Sequence, residues 1–206
     1  SRIYFLLKFS NSVLKLFELG SASRIKNAAL ETIQAVGKGD KIIVEELNEW
    51  LDGQNSLFLS LLKPEFNVVD VAVRTLGVLG DGTSFPFVLT DMFIDYNDQI
   101  SKTAYDALFQ MEGDMKDHLL RIIEKGKLVN KYEVLKFTVR EEKLPKESKE
   151  ILIKQSLRMA YFVDTPAVNE LEVLMKIRYL AIREITPYKS GDVTSVVIKH
   201  FEPLRI

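Results

Sequence analysis

The densest group of acidic side chains lies in TDMFIDYNDQ, where Asp91, Asp95 and Asp98 fall within eight residues. Three carboxylates this close could hold a hard cation. The segment lacks the central Gly and the distal Glu of a calcium-binding loop, however, and it spans a turn between two apolar segments. We therefore expect helix caps, with Asn97 or Asp98 as the N-cap of the next helix, and keep a metal or partner contact as the alternative.

Other catalytic chemistry has few candidates in this chain of 206 residues, which contains no Cys and two His. His118 and His200 lie far apart in sequence, and neither has a second His or a Glu at the spacing of a metal-binding motif. The glycine-rich GDGTS at 80–84 lacks the Lys of a phosphate-binding loop. We therefore expect no catalytic residue, no bound metal and no cofactor.

The charge balance argues against binding of nucleic acid by bulk charge. The chain contains 28 Lys and Arg and 29 Asp and Glu, so its net charge is close to zero. Charge is uneven along the chain, with four basic and twelve acidic residues in 41–112 and the opposite bias in 113–163. Either stretch could steer a partner of opposite sign, or both could be ordinary solvated helix faces.

The elements that must position these residues follow a repeated pattern. An apolar residue is followed by Ala four positions later, by apolar residues eight and eleven positions later, and then by Gly and Asp. The four copies are IKNAALETIQAVGKGD (25–40), VVDVAVRTLGVLGDG (68–82), ISKTAYDALFQMEGD (100–114) and IRYLAIREITPYKSGD (177–192). These offsets share one narrow face of a helix, and each Ala permits close approach of a neighbouring helix.

Each Gly-Asp pair predicts a left-handed helix end followed by the N-cap of the next helix. Another apolar segment follows each turn. We therefore expect two kinds of helix in alternation. The first-type helices cover 41–51, 84–94, 115–126 and 193–204, and the Ala-bearing second-type helices cover 24–37, 67–79, 99–111 and 174–186.

This alternation resembles the HEAT-repeat family of armadillo-type α-solenoids, most clearly in AVRTLGVLGDGTSFPFVLTDMF and next in YDALFQMEGD. The resemblance implies an all-α, right-handed superhelix of about 9–11 helices. We expect one domain over 1–206, a fragment of a longer chain, with an irregular region at 127–170 bounded by turns near Pro145 and Asp164. A non-repetitive helical bundle remains the alternative.

In such a solenoid the second-type helices lie side by side, and their outward positions form a ladder of polar residues. The resemblance implies a non-enzymatic scaffold or adaptor that binds a protein partner along this surface. The candidate partner-binding residues are Asp70, Arg74, Lys102, Asp106, Tyr179 and Arg183. Solvated helix faces without a binding role are the alternative reading.

A different function class also stays open, namely a HEAT-like enzyme or a nucleic-acid-processing domain similar to the HEAT-like DNA glycosylases. Those enzymes use a basic concave groove, whereas the ladder here includes Asp70, Asp106 and Glu31. The single tryptophan, Trp50, lies among four acids. We expect it to pack in the core or between repeats, and a platform for a ligand is the alternative.

The chain ends suggest continuation or end-to-end association. Residues 3–17 are apolar nearly all round, and the sequence finishes with FEPLRI. The first stretch resembles a signal peptide in its basic start, but Lys8 and Lys15 interrupt it and no small-residue cleavage site follows. No run of 18 apolar residues occurs, so we expect a cytoplasmic protein without a membrane helix.

Overall fold

A computed structural model describes residues 12–18, 20, 22–94, 96–161 and 167–188, with the side chain of Asn169 excepted. Within this part of the chain the regular structure is entirely helical. The first helix, α1, covers 12–18. The others are α2 (Ser23–Val36), α3 (Lys41–Leu59), α4 (Phe66–Leu79), α5 (Phe85–Phe93), α6 (Asp98–Leu108), α7 (Lys116–Lys125), α8 (Leu128–Arg140), α9 (Lys146–Tyr161) and α10 (Val168–Ile185). Short 3₁₀ turns occupy Gly82–Ser84 and Thr186–Tyr188.

The chain divides into two compact units, Ser1–Met115 and Lys116–Ile206. In the first unit α4 packs between α2 and α6, and α3 packs against α5. In the second unit α8 packs against α10, and α7 packs against α9. Each unit therefore places alternate helices of the chain next to one another. The prediction of one domain over 1–206, and that of a right-handed superhelix, stay predictions.

The small residue of each repeat is buried, as the pattern predicts. Ala29, Ala72, Ala104 and Ala181 are each at most 5% exposed. α4 also approaches α6 closely at Gly77, where an added Cβ would lie 2.8 Å from both the Cα and the Cβ of Ala107. The absence of a side chain at this glycine therefore contributes to the close packing of the helix pair.

The Gly-Asp turns follow the expected chemistry, with one difference in register. Gly80 ends α4 with φ of 75°, and the Asp81 carboxylate then accepts from the Thr83 backbone N–H at 2.9 Å. In the earlier copy Gly37 remains right-handed, and Gly39 adopts φ of 85° instead. The prediction of a left-handed Gly37 was therefore wrong, because the extra Lys38-Gly39 pair supplies the reversal two residues later.

α3 and α10 are longer than predicted, and α10 begins at Val168, ahead of the expected start at 174. α3 continues to Leu59, beyond the predicted end at 51, although Gly53 lies within it. Its last turns bury Gln54, whose Oε1 accepts from the Glu65 backbone N–H at 2.8 Å at the start of α4. The region 127–170 contains α8 and α9, separated near Pro145 as expected, while the Asp164 turn and the predicted helix at 193–204 lie outside the described residues.

The second unit is held by an apolar cluster that joins α8, α9 and α10. Its fully buried members include Leu135, Ala160 and Ile177. α8 packs directly against α10, although its sequence lacks the Ala and Gly-Asp signals. Nowhere in the described part of the chain is a helix both long and apolar enough to cross a membrane.

Candidate functional site

The predicted partner-binding residues lie on three helices. Asp70 and Arg74 are on α4, Lys102 and Asp106 are on α6, and Tyr179 and Arg183 are on α10. The structure brings the first four together on adjacent helices of the first unit. We call these four residues the α4–α6 ladder. Tyr179 and Arg183 lie together in the second unit.

On α4 the sequence spacing produces the expected ion pair. Arg74 Nη2 lies 2.8 Å from Asp70 Oδ2, one helical turn away. The side chains differ in exposure, at 52% for Arg74 and 17% for Asp70. Asp70 is half-buried because its other oxygen accepts a hydrogen bond from Thr103 Oγ1 on α6, at 2.6 Å. Asp70 therefore holds α4 against α6, and only Arg74 of this pair is free to meet a partner.

On α6 Lys102 and Asp106 are both exposed. The sequence places them at i and i+4, but no ion pair forms between these two described side chains. The reversed order, with Lys before Asp, is the weaker orientation of such a pair on a helix. Both charges are therefore available at the surface, as is that of Arg74 on α4.

On α10 Tyr179 is 68% exposed, and the Arg183 guanidinium lies 5.8 Å from the centre of its ring. Arg183 also contacts Glu184 at 2.6 Å. An exposed aromatic ring with an arginine above it is a combination that protein interfaces favour. Its contribution to binding stays a prediction.

The two described members of the acidic group at 91–98, Asp91 and Asp98, have different environments. Asp91 is completely buried on α5 and caps nothing, which corrects the expectation for this residue. Asp95 lies outside the described residues, and Asp98 is exposed in the first turn of α6. The N-cap is Asn97, whose Oδ1 accepts from the Ile100 backbone N–H at 2.9 Å, as predicted.

Sequence reasoning missed the buried carboxyl of Asp91. Neither of its oxygens has a hydrogen-bond partner, and burial raises its pKa well above the ordinary value, with nearby Asn55 acting in the opposite direction. The Asn55 amide is engaged elsewhere, since its Nδ2 donates to the Phe87 carbonyl at 3.5 Å and its Oδ1 accepts from the Tyr96 hydroxyl at 2.8 Å. The signal was present, because Asp91 follows Val88 by three residues on the apolar face of α5.

The remaining candidates have ordinary environments. Trp50 is half-buried, packs edge to face on Phe17 at 5.2 Å, and has Lys26 Nζ 5.9 Å from the centre of its ring. Burial lowers the pKa of His118, and neighbouring Arg121 lowers it further while Asp117 raises it. His200 lies outside the described residues. Among the residues that are described, no three His, Asp or Glu side chains come together in a way that could hold a metal.

Comparison of the chain with protein-family models, with curated proteins and with solved structures gives no match.

Proposed function

We propose that this chain is a HEAT-like scaffold without enzymatic activity, which binds a protein partner along the surface formed by its second-type helices. The observation that supports the proposal is the side-by-side packing of α2, α4 and α6, which aligns their outward positions in one row. In the second unit α8 and α10 pack in the same manner. A row of pre-positioned side chains loses little conformational entropy on binding, so many weak contacts can add up to useful affinity.

Within the first unit, the candidate contact residues are Arg74, Lys102 and Asp106. All three are exposed, and their charges are of mixed sign. Asp70 positions Arg74 and ties α4 to α6. In the second unit we assign the same role to Tyr179 and Arg183. A partner surface that matches this row would need an acidic group facing Lys102 and a basic group facing Asp106.

The test uses a double charge reversal, Lys102→Glu with Asp106→Lys, which keeps the net charge and the i,i+4 spacing. Reversal of Arg74 would be less clean, since it places a second carboxylate beside Asp70. A matched control is Asp52→Lys with Lys63→Glu, because both residues are exposed and neither lies on a second-type helix.

The three proteins serve as bait in extracts of the source cells, and retained proteins are identified by mass spectrometry. We expect a protein that wild type and the control retain and that the Lys102/Asp106 variant loses. If all three retain the same proteins, the ladder is not the binding surface. Salt-dependent retention of DNA or RNA would instead support the nucleic-acid-processing alternative.

A further inference from the structure

A cleft of about 500 Å³ lies between α3, α5 and the Gly82–Ser84 turn, away from the α4–α6 ladder. Its lining residues are Lys41, Glu45, Asn48, Glu49, Asp81, Thr83 and Phe87. The α3 residues have i, i+4 and i+7 or i+8 spacing, so one face of that helix forms a wall. The volume is within the range of about 300–1,000 Å³ that is usual for ligand sites.

The walls of the cleft are mainly acidic. Glu45 and Glu49 are exposed on α3, and neither makes an ion pair within the described part of the chain. Asp81 stands opposite on the turn. Its Oδ1 accepts from the backbone N–H and the hydroxyl of Thr83. These bonds, the backbone one first, lower the pKa of Asp81, so the group is an anion at neutral pH. The cleft therefore has three carboxylates to one ammonium, that of Lys41.

A second and independent observation comes from Asn48. This side chain lines the cleft between the two glutamates, and the residue is only 5% exposed. Its Oδ1 is shielded from solvent and receives no hydrogen bond. A buried amide oxygen without a donor is unfavourable, by an amount comparable to a lost hydrogen bond. A ligand that brings N–H donors would remove this deficit.

Phe87 narrows the choice of ligand. It contributes a half-buried aromatic ring to a cleft whose polar groups are carboxylates and an amide. A guanidinium group stacks on aromatic faces and has five N–H donors in a plane, so it can bond several acceptors at once. An ammonium group is compact and strongly hydrated, and it matches such a set of acceptors less well.

We propose that this cleft binds a guanidinium group, supplied by an arginine side chain of a protein partner. Glu45 and Glu49 accept its N–H groups from the α3 side, and Phe87 packs against its plane. A rotation of the shielded Asn48 amide toward the cleft lets its Oδ1 accept a further N–H group. The positive charge of Lys41, which also lines the cleft, weakens the binding of any cation. The site is formed by first-type helices, so it does not depend on the role proposed for the ladder.

The experiment titrates the whole chain with a blocked Ala-Arg-Ala peptide and follows side-chain amide signals by NMR. The same titration is made with blocked Ala-Lys-Ala and with agmatine, a free guanidinium compound. Glu45→Gln with Glu49→Gln is the test variant, and Glu46→Gln with Asp52→Asn is the control, since both pairs remove the same charge from exposed positions of α3. Thermal unfolding verifies that both variants are folded.

We expect the arginine peptide to shift the Asn48 amide signals and to bind at least about tenfold more weakly to the test variant, with less than about a twofold change in the control. Lys41→Gln should strengthen binding. The proposal would be overturned if both double variants bound the arginine peptide equally more weakly, or if wild type bound the lysine peptide as tightly as the arginine peptide. Either result would mean that binding is general charge attraction. Absence of the Asn48 shift would also overturn it. Binding of agmatine as tight as that of the peptide would refute the partner arginine and indicate a free ligand.

Discussion

The buried carboxyl of Asp91 makes the stability of this protein depend on pH in an unusual direction. The unfolded chain ionises this group near pH 3.8, whereas burial keeps it protonated in the native state to a much higher pH. Since the folded pKa is the higher one, the unfolded state binds fewer protons above pH 3.8. The free energy of unfolding therefore falls as pH rises, by about 1.4 kcal/mol per pH unit until the native pKa is reached.

The substitution Asp91→Asn removes this titration with almost no change of shape. Relative to wild type, the variant should gain stability between pH 4.0 and pH 6.0, because the unfolded state of wild type is about 60% ionised at the first pH and fully ionised at the second. The gain has an upper limit of about 2.4 kcal/mol, which is reached when the native carboxyl stays protonated over the whole range. A buried amide has donors of its own that need partners, but that penalty is the same at both pH values. The difference between the two pH values therefore isolates the carboxyl.

The assay is urea unfolding followed by circular dichroism at several pH values from 4 to 6, with linear extrapolation to zero denaturant. Asp52→Asn, an exposed position on α3, is the control and should show no comparable pH-dependent gain. A stability difference between Asp91→Asn and wild type that stays constant over this range would refute the reasoning, because it would mean that Asp91 is ionised in the native state.

Two further pairs of substitutions, each a test with its control, examine packing and capping by thermal unfolding. Gly77→Ala should destabilise the protein by about 1–2 kcal/mol, because the overlap of its Cβ with Ala107 costs more than the gain in helix propensity. Gly53→Ala should stabilise it by about 0.5–1 kcal/mol, because its Cβ would meet nothing within 4 Å. If both changes shift the Tm upward, α4 and α6 are not in close contact. Asp40→Ala should destabilise by about 1 kcal/mol through loss of the N-cap bonds to α3, while Asp52→Ala should not, and equal Tm values would contradict the cap.

The sequence predicted a helix well where the helix depends on residues that are close together in the chain. The spacing of apolar residues predicts α2, α4 and α6, because side chains on one face must be buried together. The Gly80-Asp81 turn followed from the need for a left-handed residue and then an N-cap. The extent of α3 did not follow, since the partners of Gln54 and Asn55 lie on other parts of the chain.

Residues that could act in function were harder to predict than helices. The sequence determined which residues share a helix face, and so it placed Lys102 with Asp106 and Glu45 with Glu49. Only the tertiary structure decided that Asp70 is held by Thr103, that Asp91 is buried without a partner, and that Asn48 lines a cleft with its Oδ1 unpaired. The physical reason is that periodicity follows from backbone geometry within one helix, whereas the environment of a polar side chain depends on which other helix packs against it.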